Sequence, residues 1–250
     1  MTPQRLRLLD ARKKYSKCAN LIEMKIKASG LSATLSEQVI GAGVAADWVR
    51  RAAEMDDVSF VGNQLKESEH KVSFVEMLRF TFSWFALNAI FSRPALLSLF
   101  GQPSTPEFDD FLVLFNGASL PNAQPKLAEL HALLKKDTTP RMPGHKKGSV
   151  VSTLLAIQTK YLQHAANKGK TAKQVANAAQ SGNISALTLP TLLYAFRKWS
   201  VHGAALDGSF GTRPGFVRYV EILQDVMAEV HCSTADNLAA QFSPMKPQNP

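Results

Sequence analysis

Apolar residues recur along this chain at steps of three and four far more persistently than at steps of two, which predicts helices almost everywhere. Residues 3–28 are rich in Leu, Arg and Lys and contain no Gly. Thr34 and Glu37 have the spacing of a capping box and open a segment running to about Met55. Ser73 and Glu76 repeat that signature ahead of FVEMLRFTFSWFALNAIFS, which Pro94 ends or kinks. In that segment Phe74, Met77, Leu78, Phe82, Phe85 and Ile90 fall mostly at helical spacing, and the extra aromatics imply burial on more than one side. Further helices are expected at 106–116, 125–136, 150–167, 171–180, 185–202 and 214–231. Pro and Gly punctuate 137–149 as a surface loop, and the end after Gln241 reads as an unstructured tail. Alternation never persists beyond a few residues, so the expected fold class is all-α.

A chain of 250 residues with 45% hydrophobic and 20% charged positions has enough material for a sizeable core, and collagen-like, coiled-coil or wholly disordered readings are excluded. Cys18 and Cys232 lie near opposite ends, too few for a disulfide framework or a zinc knuckle, and suit a reducing compartment. The opening MTPQRLRLLDARKKY lacks a signal-peptide core, and the apolar run from Phe80 to Ser92, held between Arg79 and Arg93, is short for a bilayer. The expectation is a soluble cytoplasmic protein with no membrane partner.

Charge changes this picture. The net charge is +9, and its distribution is uneven. No acidic residue occurs between Asp137 and Asp207, a stretch that carries Arg141, Lys146, Lys147, Lys160, Lys168, Lys170, Lys173, Arg197 and Lys198. A second basic cluster lies in the first 28 residues: Arg5, Arg7, Arg12, Lys13, Lys14, Lys17, Lys25 and Lys27, against Asp10 and Glu23. One such run is ordinarily a solvated helix face; two of them point toward a nucleic acid.

Several chemistries find no support. Asp56-Asp57 and Asp109-Asp110 are adjacent pairs that fall on different sides of a helix and read as solvated surface, not as a magnesium cluster. Gly144 to Ser149 is one residue short of a phosphate-binding loop and lacks its Lys after the second glycine, which leaves at most a backbone contact for RNA phosphates. None of the six histidines pairs with another at the spacing of a helical metal site, and His131, His164 and His231 read as surface or partly buried helix positions. Neither metal nor cofactor is expected. TLLYAFRKWSVHGA, residues 191–204, is the one constellation that remains. Arg197 and His202 follow the apolar residues Leu189, Leu192, Leu193 and Phe196, and Gly203 comes directly after the histidine. Five residues of regular helix rotate the chain by about 140°, so the two side chains meet only if the last turn unwinds, as a following Gly permits. Otherwise His202 simply caps a helix end and Arg197 is plain surface.

The segment LLYAFRKWSVHGAALDGSFGTRPGFVRYVEILQDVMAEV resembles the second half of a HEPN domain, the helical domain of many prokaryotic toxins and defence ribonucleases. The shared pattern is an apolar helix, Arg, a polar residue, three or four more, His and often Gly, then a variable loop and a long amphipathic helix. FVEMLRFTFSWFALNAIFS is similar to the family's opening helix. The resemblance implies a helical bundle over 71–242 with an insertion at about 95–184; residues 1–70 have no counterpart in it and read as a basic helical extension, and 243–250 as a disordered tail. It also implies metal-independent RNA cleavage, with Arg197 and His202 as catalytic residues and a homodimer that brings two motifs face to face. The residue after the arginine is commonly Asn, Asp or His in the family and here is Lys198, a departure that bears on activity, since inactive members serve as RNA-binding or scaffold modules.

Residue chemistry agrees with the resemblance. Cleavage through the 2′-hydroxyl needs a base, an acid and positive charge on the phosphorane; histidine serves as either of the first two, and a guanidinium binds phosphate with parallel donors. Lys198 adds phosphate charge or lowers the pKa of His202 by repulsion. The RNA-binding set is Lys198, Lys146, Lys147, Lys160, Lys168, Lys170 and Lys173. Expected partners are RNA, a second copy of the chain and an antitoxin or regulatory protein. The alternatives are a catalytically silent RNA-binding or scaffolding protein, and a structural helical protein kept soluble by its charge. Tyr194 and Trp199 either stack on bases or pack in the core, and Leu193, Phe196 and Trp199 either join a dimer contact or belong to the core.

Overall fold

A computed structural model describes residues 2–55, 68–103, 107–135, 150–163, 170–201 and 214–243. The chain is all-α. Among the described residues there are α1 (Pro3–Ser29), α2 (Ala33–Glu54), α3 (Ser68–Phe91), α4 (Pro94–Leu97), α5 (Glu107–Asn116), α6 (Ala123–Lys135), α7 (Val150–Leu162), α8 (Lys170–Ser181), a 3-10 turn (Ile184–Ala186), α9 (Leu189–Val201) and α10 (Pro214–Phe242), and no strand. They form two compact units, each assembled from separated stretches of chain: 1–54, 82–120 and 227–250 in the first, and 55–81 with 121–226 in the second. The sequence reading places its boundary at about residue 70, whereas compactness divides the chain within α3 and α10.

In the first unit α1 and α2 form a helical hairpin. Gly30 turns the chain with φ of 86°, and its N–H bonds the Ile26 carbonyl at 2.8 Å. The start of α1 meets the end of α2: Arg5 Nε donates to the Ala53 carbonyl at 2.6 Å, and Arg12 lies 3.9 Å from Glu54. The capping reading of α2 needs correction. Ser32 supplies the cap, accepting from the Leu35 N–H at 3.2 Å, while Glu37 turns away to accept from the Ala95 N–H at 3.4 Å. The buried face of α2 is built of small residues, so its neighbours approach closely; a Cβ at Gly41 would stand 2.9 Å from the Ala89 carbonyl oxygen.

The end of α10 lies along α1. Arg7 pairs with Glu229 at 3.5 Å, Tyr15 Oη lies 3.2 Å from His231 Nδ1, Lys14 reaches Asp236 at 2.7 Å, and Lys25 lies 5.3 Å from the centre of the Phe242 ring. The partners advance from Arg7 with Glu229 to Lys25 with Phe242, so the two helices run parallel. These contacts engage five of the eight cations of the N-terminal basic cluster (Arg5, Arg7, Arg12, Lys14 and Lys25) within the unit. Much of that cluster is therefore internal scaffolding, not open surface. Trp84, Phe91, Phe111 and Phe115 form the unit's aromatic centre.

His231 corrects a second expectation. It is fully buried, not at or near the surface. Its Nε2 donates to the Ser83 carbonyl at 2.9 Å, which leaves Nδ1 to accept from the Tyr15 hydroxyl. Burial drives its pKa down to about 4, against a smaller opposing effect of the Ser83 bond. Burial also raises Cys18 to about 12 and Cys232 to about 11, so both thiols stay protonated at neutral pH.

The second unit is organised around α9. Phe196 packs against Phe80, Phe216 and Tyr219, with ring centres 4.8 to 6.3 Å apart. Leu192, Leu193, Phe196 and Trp199 have no exposed surface, which assigns Leu193, Phe196 and Trp199 to the core. The indole Nε1 of Trp199 donates to Gln158 Oε1 of α7 at 2.8 Å. The small-residue face of α8, Ala172, Val175, Ala176 and Ala179, is buried, and α8 packs on α7 and α9.

Two helices extend beyond their expected limits. α3 begins at Ser68, so Ser73 is no cap, and α10 continues to Phe242. Within α3 the fully buried set, among its described side chains, is Met77, Phe80, Ser83, Ala86, Leu87 and Ile90, while Phe82 and Phe85 are only partly covered and lie against Trp48. Burial on more than one side is thus observed, but the apolar stripe expected from spacing is not its deepest part. Phe74–Phe91 is long and apolar enough to cross a membrane, so length does not separate it from a spanning helix as expected; two thirds of it is buried within the protein. The Arg79 side chain inside this window is buried, bonded to Glu76 and to the Met55 carbonyl. Pro94 begins the short helix α4. The readings of 137–149 and of the end of the chain past Ser243 concern residues outside those described.

Candidate functional site

α9 is buried along most of its length. Its partly exposed positions are Pro190, Arg197, Lys198 and Val201. The apolar residues that fix the helix in the core therefore also fix where its two cations emerge. Tyr194, itself 5% exposed, lies beneath both: the Arg197 guanidinium carbon is 5.5 Å and the Lys198 Nζ 5.2 Å from the centre of its ring. Residues three and four positions on from Tyr194 share its side of the helix, and each cation–π contact contributes on the order of 0.5–1 kcal/mol. The outcome is a pair of adjacent cations held over an aromatic floor on a rigid helix, an arrangement suited to phosphate oxygens.

His202 follows Val201 directly but lies outside the described residues, as do Lys146, Lys147 and Lys168. Its meeting with Arg197, and the unwound turn it requires, lie outside them too. The remaining sequence candidates fall on the layer formed by α7, α8 and α9. Lys160 is partly exposed in the last turn of α7, and Lys170 and Lys173 are exposed on α8. They occupy helices that pack against α9.

The described carboxylates of this unit are placed elsewhere. Four acidic side chains are described in it, and each is matched by a cation outside the α7–α9 layer. Glu76 pairs with Arg79, Glu129 and Glu221 share Arg218 at 2.7 and 3.3 Å, and Asp225 binds Lys126 at 2.7 Å. The three helices α7, α8 and α9 contain Lys160, Lys170, Lys173, Arg197 and Lys198 and no acid at all. Among the described residues of the unit, the paired acids and their cations thus lie on α3, α6 and α10, while α7–α9 carry five cations and no acid of their own. Sequence order shows the acid-free stretch, but the pairing that engages the four described carboxylates is visible only in three dimensions.

The sequence allows Tyr194 and Trp199 either base stacking or core packing. Trp199 is core; Tyr194 is nearly buried and serves as the floor for the two cations. His131 is partly buried, as expected, with its Nε2 2.9 Å from the Leu187 carbonyl. Asp109 and Asp110 sit partly exposed in the first turn of α5, where negative charge suits the helix dipole. Among the described residues no group of three or more His, Cys, Asp or Glu side chains converges on a common point. Compared with family models, curated proteins and solved structures, the chain matches none.

Proposed function

We propose that this protein is a metal-independent endoribonuclease of the HEPN type, acting in a toxin or defence role, with RNA bound across the α7–α9 layer. The observation that supports this reading best is the charge segregation of the second unit, which leaves Arg197 and Lys198 displayed over Tyr194 beside an acid-free face. Arg197 and Lys198 hold the non-bridging oxygens of the scissile phosphate. His202, four residues beyond Lys198, takes the proton of the 2′-hydroxyl. The 2′-oxygen attacks phosphorus, the bond to the 5′-oxygen breaks, and the products are a 2′,3′-cyclic phosphate and a free 5′-hydroxyl. The proton for that leaving oxygen comes from a second imidazole, supplied by His202 of another copy in a homodimer. Leu193, Phe196 and Trp199 are core residues, so such a dimer uses other surface.

A catalytically silent RNA-binding protein is the second reading. It is favoured by Lys198, which replaces the family's usual polar residue with a further phosphate ligand. Incubating purified protein with RNA in excess EDTA separates the two. The enzyme reading predicts cleavage that persists and leaves 2′,3′-cyclic phosphate ends. Intact RNA supports the silent reading, and strict dependence on magnesium or manganese overturns the mechanism.

A further inference from the structure

The solvent face of α8 has an unusual composition. Lys170, Lys173, Gln174, Asn177, Gln180 and Ser181 follow one another at steps of three and four or their neighbours, and all are exposed. At about 100° per residue these six fall within roughly one third of the helix circumference. The opposite side, Ala172, Val175, Ala176 and Ala179, is buried. No carboxylate lies on α8, and none lies on α7 or α9 against which it packs. Ser181 bonds back to the Ala178 carbonyl at 3.3 Å. The two ammonium groups and three carboxamides make no hydrogen bond or ion pair among the described residues. Elsewhere in the same unit, exposed Arg218 of α10 is bound to partly exposed Glu129 of α6.

A helix surface of lysines and carboxamides without a single acid matches the two groups a ribonucleotide backbone repeats. Ammonium groups meet phosphates, and a carboxamide can both donate to and accept from a 2′-hydroxyl, the group that distinguishes RNA from DNA. We infer that the solvent face of α8 is a track for a single RNA strand, in which Lys170 and Lys173 hold phosphates and Gln174, Asn177 and Gln180 recognise ribose 2′-hydroxyls. Twelve residues give the track a length of about 18 Å. This inference rests on the proposal that the protein binds RNA, and deepens it by assigning the groups that select ribose over deoxyribose.

The test measures binding of the full chain, carrying His202→Ala so that substrate is not consumed, to labelled twelve-nucleotide oligouridylate and its 2′-deoxy counterpart. Fluorescence anisotropy is read at several salt concentrations, and circular dichroism confirms unchanged helix content. Lys170→Ala with Lys173→Ala is expected to weaken both oligonucleotides about tenfold. The slope of log K against log salt should fall by about 1.4, the value for two lost contacts to a single strand. Gln174→Ala, Asn177→Ala and Gln180→Ala together are expected to weaken the ribo-oligonucleotide at least fivefold and the deoxy form less than twofold. Equal loss on the two oligonucleotides in the carboxamide variant overturns ribose recognition. Unchanged ribo-oligonucleotide affinity in either variant overturns the track, and is the result expected if this face serves an acidic protein. If the parent chain binds neither oligonucleotide, the RNA-binding proposal falls, and the track falls with it.

Discussion

Because His231 is neutral and enclosed, the stability of the fold must depend on pH in a range where few other groups titrate. The folded pKa is about 4, against about 6.5 for an unburied histidine. Between those values the unfolded chain binds a proton that the folded chain refuses, so stability rises with pH and is lost as pH falls from about 6.5 toward 4. The full effect is on the order of 3 kcal/mol, of which roughly 2 kcal/mol is lost between pH 6.5 and pH 5, before most carboxylates titrate. The Tyr15 hydroxyl that meets the imidazole, and the Cys18 and Cys232 thiols that interact with Tyr15, are all raised by burial and silent in this range. The perturbation is His231→Gln, whose carboxamide can still accept from Tyr15 and donate to the Ser83 carbonyl but cannot take up a proton. Urea unfolding at half-unit pH steps reads the outcome. The wild type is expected to lose stability at close to 1.4 kcal/mol per pH unit across the lower part of the window, and the variant to be nearly flat. A wild-type curve flat from pH 6.5 to 5, or a variant with the same slope as wild type, refutes the assignment of a buried neutral histidine.

Other consequences follow from the packing. Gly41→Ala forces a methyl group against the Ala89 carbonyl and should destabilise the protein by about 1–3 kcal/mol. Gly43→Ala, where the added Cβ meets nothing within 4 Å, should be neutral or stabilising by up to about 1 kcal/mol in the same chemical denaturation experiment. Trp199→Phe removes the donor to Gln158 and should cost about 1–3 kcal/mol while leaving RNA affinity within twofold, because the indole is core and not a base-stacking surface. A mixed dimer of wild type with a chain carrying both Arg197→Ala and His202→Ala should fall well below half the wild-type cleavage rate. Half the rate, or an active monomer by sedimentation, contradicts the shared site.

The helical class was legible because the apolar spacing of segments such as 214–231 admits only one kind of element. Helix ends were less so. Ser32 and Thr34 carry the same capping chemistry, and only the position of Ala95 shows why Glu37 leaves its own helix and Ser32 becomes the cap. The apolar pattern ends α10 at 231 because His231, Cys232, Ser233 and Thr234 look polar in sequence, yet His231 and Thr234 are buried and the helix continues to Phe242. Burial of a histidine depends on partners such as Tyr15 and Ser83, 216 and 148 residues away, which no local pattern records. In the same way α1 reads as one basic surface until long-range partners such as Ala53, Glu229 and Asp236 divide its cations into engaged and open. The candidate site was the more legible part, since the acid-free stretch and the Arg197-Lys198 pair are continuous in sequence. The exposed carboxamides of α8 were also readable from their spacing at 174, 177 and 180, a signal that charge alone did not draw out.

The central claim is that Arg197 and His202 perform different parts of one RNA cleavage reaction. The most direct measurement compares wild type, Arg197→Ala and His202→Ala, each purified and treated with EDTA, for single-turnover cleavage of a labelled RNA and for binding to it. Both variants are predicted to lose at least a hundredfold in cleavage rate at unchanged helix content. His202→Ala should keep its RNA affinity and Arg197→Ala should lose part of it. Cleavage by either variant at the wild-type rate, or no cleavage by the wild type itself, contradicts the assignment.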